Sequence, residues 1–244
     1  MRRRRQNCGF TLIELVIVIL ILGIIATVAI REMGPSIETA KYEQTKAELD
    51  QLAWAVAGNP NLYSSNSRSD FGYVGDVGSL PPSLDALVQN PGGYATWDGP
   101  YIDPGMSGDD FKRDAWQALY MYTGIVIRST GSGGNIEKVI ASDPSLLLSN
   151  TVSGIFRNAD GTPPGNNYCD SILAQLVYPG GSGSMTTAST NPSPVGHFSF
   201  VGIPVGHHVL RIVYLPDSDT VTYTVAVLPG KTAVLDLVSP ADLW

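Results

Sequence analysis

The chain has 244 residues, of which 43% are hydrophobic and 15% are charged, with 26 glycines and 17 prolines. It can form one large domain or two smaller ones, and its few charges and many turn-forming residues favour an extracytoplasmic, β-rich protein over a cytosolic helical enzyme. Four of its 15 lysines and arginines form the run Arg2–Arg5, which leaves 11 basic side chains against 22 acidic ones. An acidic body repels phosphate groups, so the composition argues against nucleic-acid binding.

The first predicted element is an apolar segment from Phe10 to Ile30 that contains one ionisable residue, Glu14. A helix of this length spans about 30 Å, which is the thickness of the hydrocarbon core of a bilayer. The preceding Arg2–Arg5 run favours a cytoplasmic N-terminus, because loops rich in Lys and Arg stay inside. We therefore predict a single-pass membrane protein whose N-terminus lies inside and whose residues after Arg31 lie outside.

Two simpler interpretations of this segment fit less well. A secretory signal peptide has an apolar region of about 7–15 residues that precedes a cleavage site of small residues, whereas the small residues at 26–29 lie inside this longer segment. A plain membrane anchor leaves Glu14 unexplained, because an unpaired carboxylate in hydrocarbon costs about 3 kcal/mol. We therefore expect Glu14 to have a functional partner.

A specific motif joins the basic leader to the apolar segment. The run Gly9-Phe10-Thr11-Leu12-Ile13-Glu14 before a membrane span resembles the class III signal of type IV pilins and type II secretion pseudopilins. The resemblance implies cleavage after Gly9, N-methylation of Phe10, and a helix that is first a membrane anchor and then the filament core. It also implies that Glu14 pairs with the free amine of a neighbouring subunit's first residue, as a buried charge requires. Cys8 departs from the family, which often has Lys or Arg there.

The same resemblance implies a set of partners. They are copies of this chain or other pilin-like subunits, the prepilin peptidase, the inner-membrane assembly platform, and membrane lipid before assembly.

The helix is predicted to continue beyond the membrane and to end at Gly58-Asn59-Pro60. A roughly helical apolar stripe supports this; it consists of Ile30, Met33, Ile37, Ala40, Leu49, Leu52, Ala53 and Val56. Gly34-Pro35 falls inside the helix, and we expect a kink there because proline removes a backbone hydrogen bond and clashes with the preceding turn. Many pilins have the corresponding proline at the position of Arg31.

The middle of the chain lacks long helices. A short helix after Pro81-Pro82 is predicted to be capped by Ser83, and Asp114–Tyr122 has the alternation of a half-buried strand. Together with Trp97–Ile102, which has the pattern W-x-GPY, these pieces resemble the major pseudopilin of type II secretion in order and spacing. Ala115 and Gln117 stand where that family has proline and glycine. The aromatic residues are also explained as the core of a small sheet packed on the helix.

Four aspartates of this region are candidate calcium ligands. Hard cations bind several oxygen donors, and the candidates at loop-like spacing are Asp103, Asp109, Asp110 and Asp114. The sequence has no 12-residue calcium-loop pattern, and Asp- and Gly-rich segments commonly form simple turns. Calcium therefore remains one of two interpretations, and we expect no other cofactor.

From about residue 148 onward the pattern changes to short alternating strands separated by Gly- and Pro-containing turns, typical of a small β-sandwich. The predicted strands are Thr151–Arg157, Ile172–Tyr178, His197–Val201, His208–Tyr214, Thr220–Leu228 and Thr232–Val238. The runs 160–163 and 196–210 resemble a carboxypeptidase-regulatory-like or Cna-B-like sandwich. Some Cna-B-like domains form a Lys–Asn isopeptide bond, which is not expected here because Arg157 is the only cation of the first predicted strand.

The remaining candidates carry no predicted chemistry. His207 and His208 point to opposite faces if both lie in a strand, so we predict surface or turn histidines rather than a zinc site. Cys169 is expected to be a small core residue. The sequence contains no G-x-S-x-G, H-E-x-x-H, P-loop or C-x-x-C motif, and we predict that the protein is not an enzyme.

The predicted fold is α+β, with a long N-terminal helix (transmembrane, then amphipathic) on a small antiparallel sheet and a C-terminal β-sandwich. The predicted parts are a leader peptide (1–9), the transmembrane and filament helix (10–57), a pseudopilin-like head (58–145) and the sandwich (146–244). The predicted function is a type II secretion pseudopilin, polymerised in the periplasm to drive protein secretion. The alternative is a subunit of a surface type IV pilus with an adhesive or carbohydrate-binding sandwich.

Overall fold

The computed structural model of the protein describes residues 11–64, 67–102 and 110–244, and for residues 28–32 it describes the backbone only. Contacts between residues divide the chain into two compact units, Met1–Gln44 and Thr45–Trp244. The first helix, α1 (Leu12–Ala57), contributes residues to both units.

In the first unit, the described apolar side chains of α1 are exposed. Leu12 is 84% exposed, Leu20 61% and Met33 58%. Among the residues that the structure describes, no helix combines the length and the apolar run that a membrane crossing requires. The predicted span includes Phe10 and the side chains of residues 28–30, which lie outside that description.

The second unit begins with the last turns of α1 and a region that we call the head, residues 45–149. Its helices and strands are short: β1 (Tyr63–Ser64), β2 (Ser67–Arg68), α2 (Gly72–Val77), β3 (Met121–Tyr122), β4 (Val126–Ser129), β5 (Ile136–Val139) and α3 (Ser145–Leu148). Strands β3, β4 and β5 form an antiparallel sheet in that order. Two 3₁₀ helices, Leu84–Leu87 and Asp110–Lys112, lie between α2 and this sheet in the chain.

The rest of the second unit, residues 150–244, is mostly strand. Its elements are β6 (Asn150–Arg157), α4 (Gly165–Tyr168), a 3₁₀ helix (Cys169–Ser171), β7 (Ile172–Pro179), β8 (Met185–Thr190), β9 (His197–Ile203), β10 (Gly206–Tyr214), β11 (Asp219–Val227) and β12 (Thr232–Val238). One sheet has the antiparallel order β11-β10-β7-β8, and the other has the order β12-β6-β9. In the second sheet β12 is parallel to β6, whereas β9 is antiparallel to it.

Each of these two regions has its own hydrophobic cluster. The head cluster includes Leu52 and Val56 of α1 with Ile127 of β4. The second cluster takes Leu176 and Leu210 from the four-stranded sheet and Phe198 from the three-stranded sheet. Successive side chains of a strand alternate between faces, so each sheet contributes every second residue to the cluster and exposes the others.

Backbone contacts join the head to the strand-rich region. The amide of Gly181 donates to the carbonyl of Val77 at 2.9 Å, and the amide of Val205 donates to the carbonyl of Leu147 at 2.8 Å. Val205 is fully buried and packs in the head cluster, although it follows β9 in the chain. Both regions therefore lie in the single unit Thr45–Trp244, and the predicted domain limits at 58–145 and 146–244 stay a prediction.

Most predictions of helices and strands are confirmed. The fold is α+β, α1 ends at Ala57 as predicted, and Gly58 follows it with a φ of 79°. All six strands predicted after residue 148 are present. The run Gly131–Gly134 is the turn of the β4–β5 hairpin.

Other predictions are wrong. Asp114–Tyr122 is a turn with a two-residue strand at its end, because the Asp114 carboxylate accepts backbone amides and holds the chain in that turn. Ser83 makes no capping hydrogen bond with the helix that follows it; its hydroxyl faces the carboxylate of Asp85 at 3.4 Å. Strand β8 was not predicted, since Met185–Thr190 has one large apolar residue and therefore no strong alternation.

The prediction of surface or turn histidines is wrong for His208, which is fully buried in β10. Its Nε2 lies 2.7 Å from the carbonyl oxygen of Pro204, so Nε2 must carry the proton. Burial lowers the pKa of His208. The ring lies edge-on to that of Tyr178, with a centroid distance of 6.0 Å, as part of the packing inside the sheet. His197 and His207 are exposed.

Candidate assembly helix and the motifs that frame it

The predicted cleavage and methylation sites, Gly9 and Phe10, lie outside the described residues. The described chain starts with Thr11, and its hydroxyl accepts a hydrogen bond from the amide of Glu14 at 3.3 Å. Threonine followed three residues later by glutamate is the capping-box pattern of a helix N-terminus. Thr11 therefore helps to start α1 by accepting the backbone amide of residue 14, while the Glu14 side chain keeps the assembly role that the resemblance implies.

Exposed apolar side chains surround Glu14. Ile13 is 69% exposed and Ile17 is 52% exposed. No ion-pair partner of the Glu14 carboxylate lies among residues 11–64, 67–102 and 110–244. When this surface is covered by lipid or protein, the carboxylate loses its water, and a buried charge is stable only when it is paired and hydrogen-bonded.

Pro35 lies inside α1, which continues through it. The hydroxyl of Thr39 donates to the carbonyl oxygen of Pro35 at 3.0 Å. Proline at this point leaves the backbone acceptor one turn earlier without its usual donor. The kink predicted at Gly34-Pro35 stays a prediction.

The last three turns of α1 are fixed to the head by polar contacts. The hydroxyl of Tyr120 donates to the carboxylate of Glu48 at 2.6 Å. Thr45 is fully buried, and its hydroxyl accepts from the amide of Ala115 at 3.3 Å. Burial and the Glu48 carboxylate both raise the pKa of Tyr120, so the phenol stays protonated as the donor.

The end of α1 is capped by an arginine that no local pattern predicted. The guanidinium of Arg68 donates from Nη2 to the carbonyls of Ala57 and Gly58, at 2.6 and 2.8 Å, and from Nε to the carbonyl of Asp70 at 2.8 Å. Arg68 is only 8% exposed, and burial lowers its pKa. The last carbonyls of a helix lack partners within it, and a cation there also suits the helix dipole.

The W-x-GPY segment closes against the 3₁₀ helix Leu84–Leu87. The indole of Trp97 donates to the carbonyl of Ala86 at 2.9 Å, and the amide of Tyr101 donates to the carbonyl of Leu87 at 2.8 Å. The rings of Trp97 and Tyr101 meet edge-on at 5.7 Å. A β-carbon on Gly99 would overlap the Trp97 ring, so the motif needs its glycine. The motif is structural, as predicted.

Asp114 organises the turn before the head sheet. One carboxylate oxygen accepts from the amides of Trp116 and Ala118, both at 2.9 Å. The other accepts from the hydroxyl of Ser129 at 2.6 Å and from the amide of Gly131 at 3.1 Å. A carboxylate that accepts several hydrogen bonds inside a protein holds its neighbours in one geometry. Asp114 therefore ties the turn to the hairpin of β4 and β5.

Of the four calcium candidates, the structure describes Asp110 and Asp114. Asp103 and Asp109 lie outside the described residues, Asp110 is exposed, and both oxygens of Asp114 are engaged by protein donors. In the described part of the chain, no group of three or more His, Cys, Asp or Glu side chains is placed to hold a metal ion. The calcium site stays a prediction.

Two cavities are each lined in part by Tyr101. A groove of about 580 Å³ beside α1 is lined by Leu52, Tyr101 and Ile102 among others, and Ile102 directly precedes the undescribed residues 103–109. A polar cavity of about 300 Å³ is lined by Asp76, Asp98 and His207 among others. Burial raises the pKa of Asp76, against the opposing hydrogen bond from Tyr101.

The basic leader and the start of α1 match a known family. Residues 4–30 match the family described as "Prokaryotic N-terminal methylation motif". This match confirms the resemblance to prepilin N-termini that the run from Gly9 to Glu14 suggested.

Similarity also extends to whole proteins. The chain is 29% identical over 101 residues to "Type II secretion system core protein G" of Xanthomonas campestris pv. campestris, which covers 41% of this chain and 61% of that protein. It is 33% identical over 91 residues to the protein of the same name from Pseudomonas aeruginosa, with 37% and 56% covered. The match thus spans less than two thirds of either relative.

Solved structures give weaker likenesses. The dioxygenase domain of a dioxygenase carbohydrate-binding fusion from Streptomyces sp. SirexAA-E is 15% identical, with a TM-score of 0.30, over 41% of this chain and 85% of that one. The Bacillus anthracis TIE protein is 16% identical, with a TM-score of 0.31, over 49% and 24%. Scores this low carry no argument about this chain.

Proposed function

We propose that this protein is a structural, non-enzymatic pseudopilin of a type II secretion filament. The observation that carries the proposal is the methylation motif at residues 4–30 in a chain similar to core protein G. The predicted leader is removed after Gly9, Phe10 becomes the methylated N-terminus, and the subunit is held in the inner membrane until it is assembled in the periplasm.

In this proposal α1 meets two environments in turn. Its exposed apolar side chains, such as Leu12 and Leu20, first face lipid and then the helices of sister subunits. The Glu14 carboxylate costs free energy in lipid but gains an ion pair in the filament, with the free amine of a neighbouring Phe10. That difference favours the assembled state. The assembly platform and the prepilin peptidase are the other partners that the proposal needs.

The two sheets of residues 150–244 share one hydrophobic cluster, and we propose that they form a β-sandwich of the carboxypeptidase-regulatory-like kind. Such a module supports a second candidate function, in which the chain is a subunit of a surface pilus and the sandwich binds a carbohydrate or an adhesion partner. Immunogold labelling separates the two, because surface filaments are accessible on intact cells whereas a periplasmic filament is labelled only after the outer membrane is opened.

The ion pair of Glu14 is tested with two substitutions. Glu14→Gln removes the charge and keeps the size of the side chain, while Glu14→Ala removes the side chain as well; both keep the backbone amide that bonds to Thr11. If charge pairing drives assembly, both variants insert in the membrane and are processed, yet filaments are lost in both. Filaments are counted by electron microscopy, and mass spectrometry of the N-terminal peptide reports cleavage after Gly9 and methylation of Phe10.

The matched control is Glu38→Ala, since Glu38 lies in the same helix and pairs with Lys41 at the surface, at 3.8 Å. This variant should assemble normally. Normal filaments from Glu14→Gln would contradict the pairing role.

A further inference from the structure

The four-stranded sheet ends in two open edges. Strand β8 is hydrogen-bonded to β7, and β11 is hydrogen-bonded to β10. Within the described part of the chain, neither β8 nor β11 has a strand on its other side. Part of the outer face of each edge strand is open to solvent: Met185 of β8 is 53% exposed, and Thr220, Thr222 and Thr224 of β11 are exposed, whereas Ala226 on the same face of β11 packs against the head.

These two edges lack most of the features that usually prevent strand pairing between proteins. Such features are charged side chains, prolines, bulges and very short strands. Residues 185–190 (MTTAST) and 220–227 (TVTYTVAV) contain no charge and no proline, and Asp219 is a charge only at the very start of β11. The register between each strand and its neighbour is regular. Threonine, valine and tyrosine also favour extended chain.

The other sheet edges of the described chain are protected. Strand β9 has a register shift opposite Asn150 and Thr151, and β12 carries Asp236, which pairs with Arg157 at 2.7 Å. In the head sheet, β5 contains Glu137 and Lys138, and β3 has only two residues. The contrast between these edges and β8 and β11 indicates that the latter two are kept open for pairing.

The strand directions define which pairing fits a filament. The sheet is antiparallel throughout, so β8 and β11 run in opposite directions at its two ends. A second copy with the same orientation therefore presents its β11 antiparallel to β8 of the first copy. Such a contact joins two different surfaces, and a contact of this type repeats without closing when the rotation between copies does not form a ring.

We propose that β8 of one subunit pairs with β11 of the next, so that the four-stranded sheets of neighbouring copies of this chain form a continuous antiparallel sheet. The pairing adds main-chain hydrogen bonds between copies, in the manner of strand addition at a sheet edge. When the two sheets are level, it brings outward-facing Thr187 and Ser189 of β8 beside outward-facing Thr224 and Thr222 of β11. The inference rests on the proposed filament function and identifies a second contact in it, distant in the chain from Glu14.

The contact is tested by cross-linking in filaments of the full chain. Thr187→Cys is combined in turn with Thr220→Cys, Thr222→Cys and Thr224→Cys, which samples the registers available to the pair. Filaments are treated with a short bismaleimide and separated on denaturing gels. At least one double variant should give a ladder of dimers, trimers and larger species, whereas each single variant should stay monomeric and thereby controls for Cys169.

A charged substitution tests the edge itself. The double variant that links best receives Thr224→Lys or, when position 224 already carries the cysteine, Thr220→Lys. A lysine on an edge strand opposes pairing, so the ladder should be lost. The control is Ser199→Lys, which adds the same exposed charge to the protected strand β9 and should leave the ladder unchanged. A ladder that survives the lysine on β11 would contradict pairing through this edge.

The outcomes separate this inference from the proposed function. Filaments without a ladder from any double variant overturn the β8–β11 contact and leave the filament function intact. Dimers from Thr187→Cys alone overturn it in favour of a two-fold contact between β8 strands, and a link to a different protein overturns it in favour of another occupant. If the unmodified chain forms no filaments, the proposed function and this contact both fall.

Discussion

Gln117 adopts a backbone conformation that few side chains tolerate. Its φ is 69° in the turn that follows Asp114, where the amide of Gln117 donates to the Asp114 carbonyl at 2.8 Å. A β-carbon in this region costs about 1–2 kcal/mol, whereas glycine adopts it freely. The pseudopilin pattern has glycine at this position, and the resemblance alone identified Gln117 as a departure.

Gln117→Gly should therefore stabilise the protein. The relief of strain outweighs the extra entropy of glycine in the unfolded chain, and we expect a gain of about 0.5–1 kcal/mol in the free energy of unfolding. Thermal unfolding of the purified full chain should shift upward by about 1–4 °C.

Gln89→Gly is the matched control, because Gln89 is exposed and is not among the described residues with a positive φ. The same exchange there should lower stability, since it adds flexibility to the unfolded chain without relieving strain. Equal shifts in both variants would show that the Gln117 turn is not strained.

At the scale of single elements, the C-terminal end of α1 is capped by a side chain from a later segment of the chain. Arg68 supplies three hydrogen bonds to the carbonyls of Ala57, Gly58 and Asp70. Gly58-Asn59-Pro60 predicted where the helix stops, because glycine and proline interrupt a helix through their own backbone chemistry. Nothing local predicted the cap, since its donor comes from β2.

Arg68→Met should lower the free energy of unfolding by about 2–4 kcal/mol. The apolar stem is retained, but buried helix-end carbonyls lose charged donors, and hydrogen bonds of that kind contribute about 1.5–3 kcal/mol each. Denaturant unfolding with tryptophan fluorescence measures the change, because Trp54 lies in the last turn of α1.

Arg211→Met provides the comparison, since Arg211 is exposed on the outer face of β10. Its effect should stay within about 0.5 kcal/mol, as for most surface substitutions. A similar loss in both variants would mean that the helix-end contacts of Arg68 contribute little.

At the scale of the whole second unit, one of the contacts between the head and the strand-rich region joins the end of α2 to the end of β7. Gly78 ends α2 with a φ of 77°, and a β-carbon on it would overlap the carbonyl oxygen of Pro179. The amide of Gly181 returns a hydrogen bond to Val77. At Gly78 the head and the strand-rich region thus meet through backbone atoms, which leaves no room for a larger side chain there.

Gly78→Ala should destabilise both regions together. Backbone strain and overlap each cost about 1–3 kcal/mol, so a loss of about 3 kcal/mol is expected. Hydrogen exchange read on peptides from the head and from residues 150–244 should accelerate in parallel, because the regions share this contact.

The control is Gly161→Ala, where φ is 84° but nothing lies within 4 Å of the added carbon. It imposes the backbone strain alone and should cost about 1–2 kcal/mol. Faster exchange confined to one region in Gly78→Ala would contradict the coupling.

Elements with local signals could be predicted from the amino-acid sequence. Residue chemistry and periodicity along the chain predicted the apolar run of α1, its stop at Gly58 and six of the seven C-terminal strands, while the Gly9–Glu14 motif was recognised by its resemblance to a family. The α+β class follows from the same patterns. The run Asp114–Tyr122 shows the limit of such reasoning, because its alternation suggested a strand while the Asp114 carboxylate holds a turn.

Contacts between distant segments became visible only in the folded chain. The Arg68 cap, the burial of His208, the parallel pairing of β12 with β6 and the open edges at β8 and β11 all depend on segments that are distant in sequence. Such contacts leave little trace in local composition, since any polar residue with suitable reach could make them. These contacts are therefore determined by the packing of the whole second unit, whereas helix α1 is specified by its own residues.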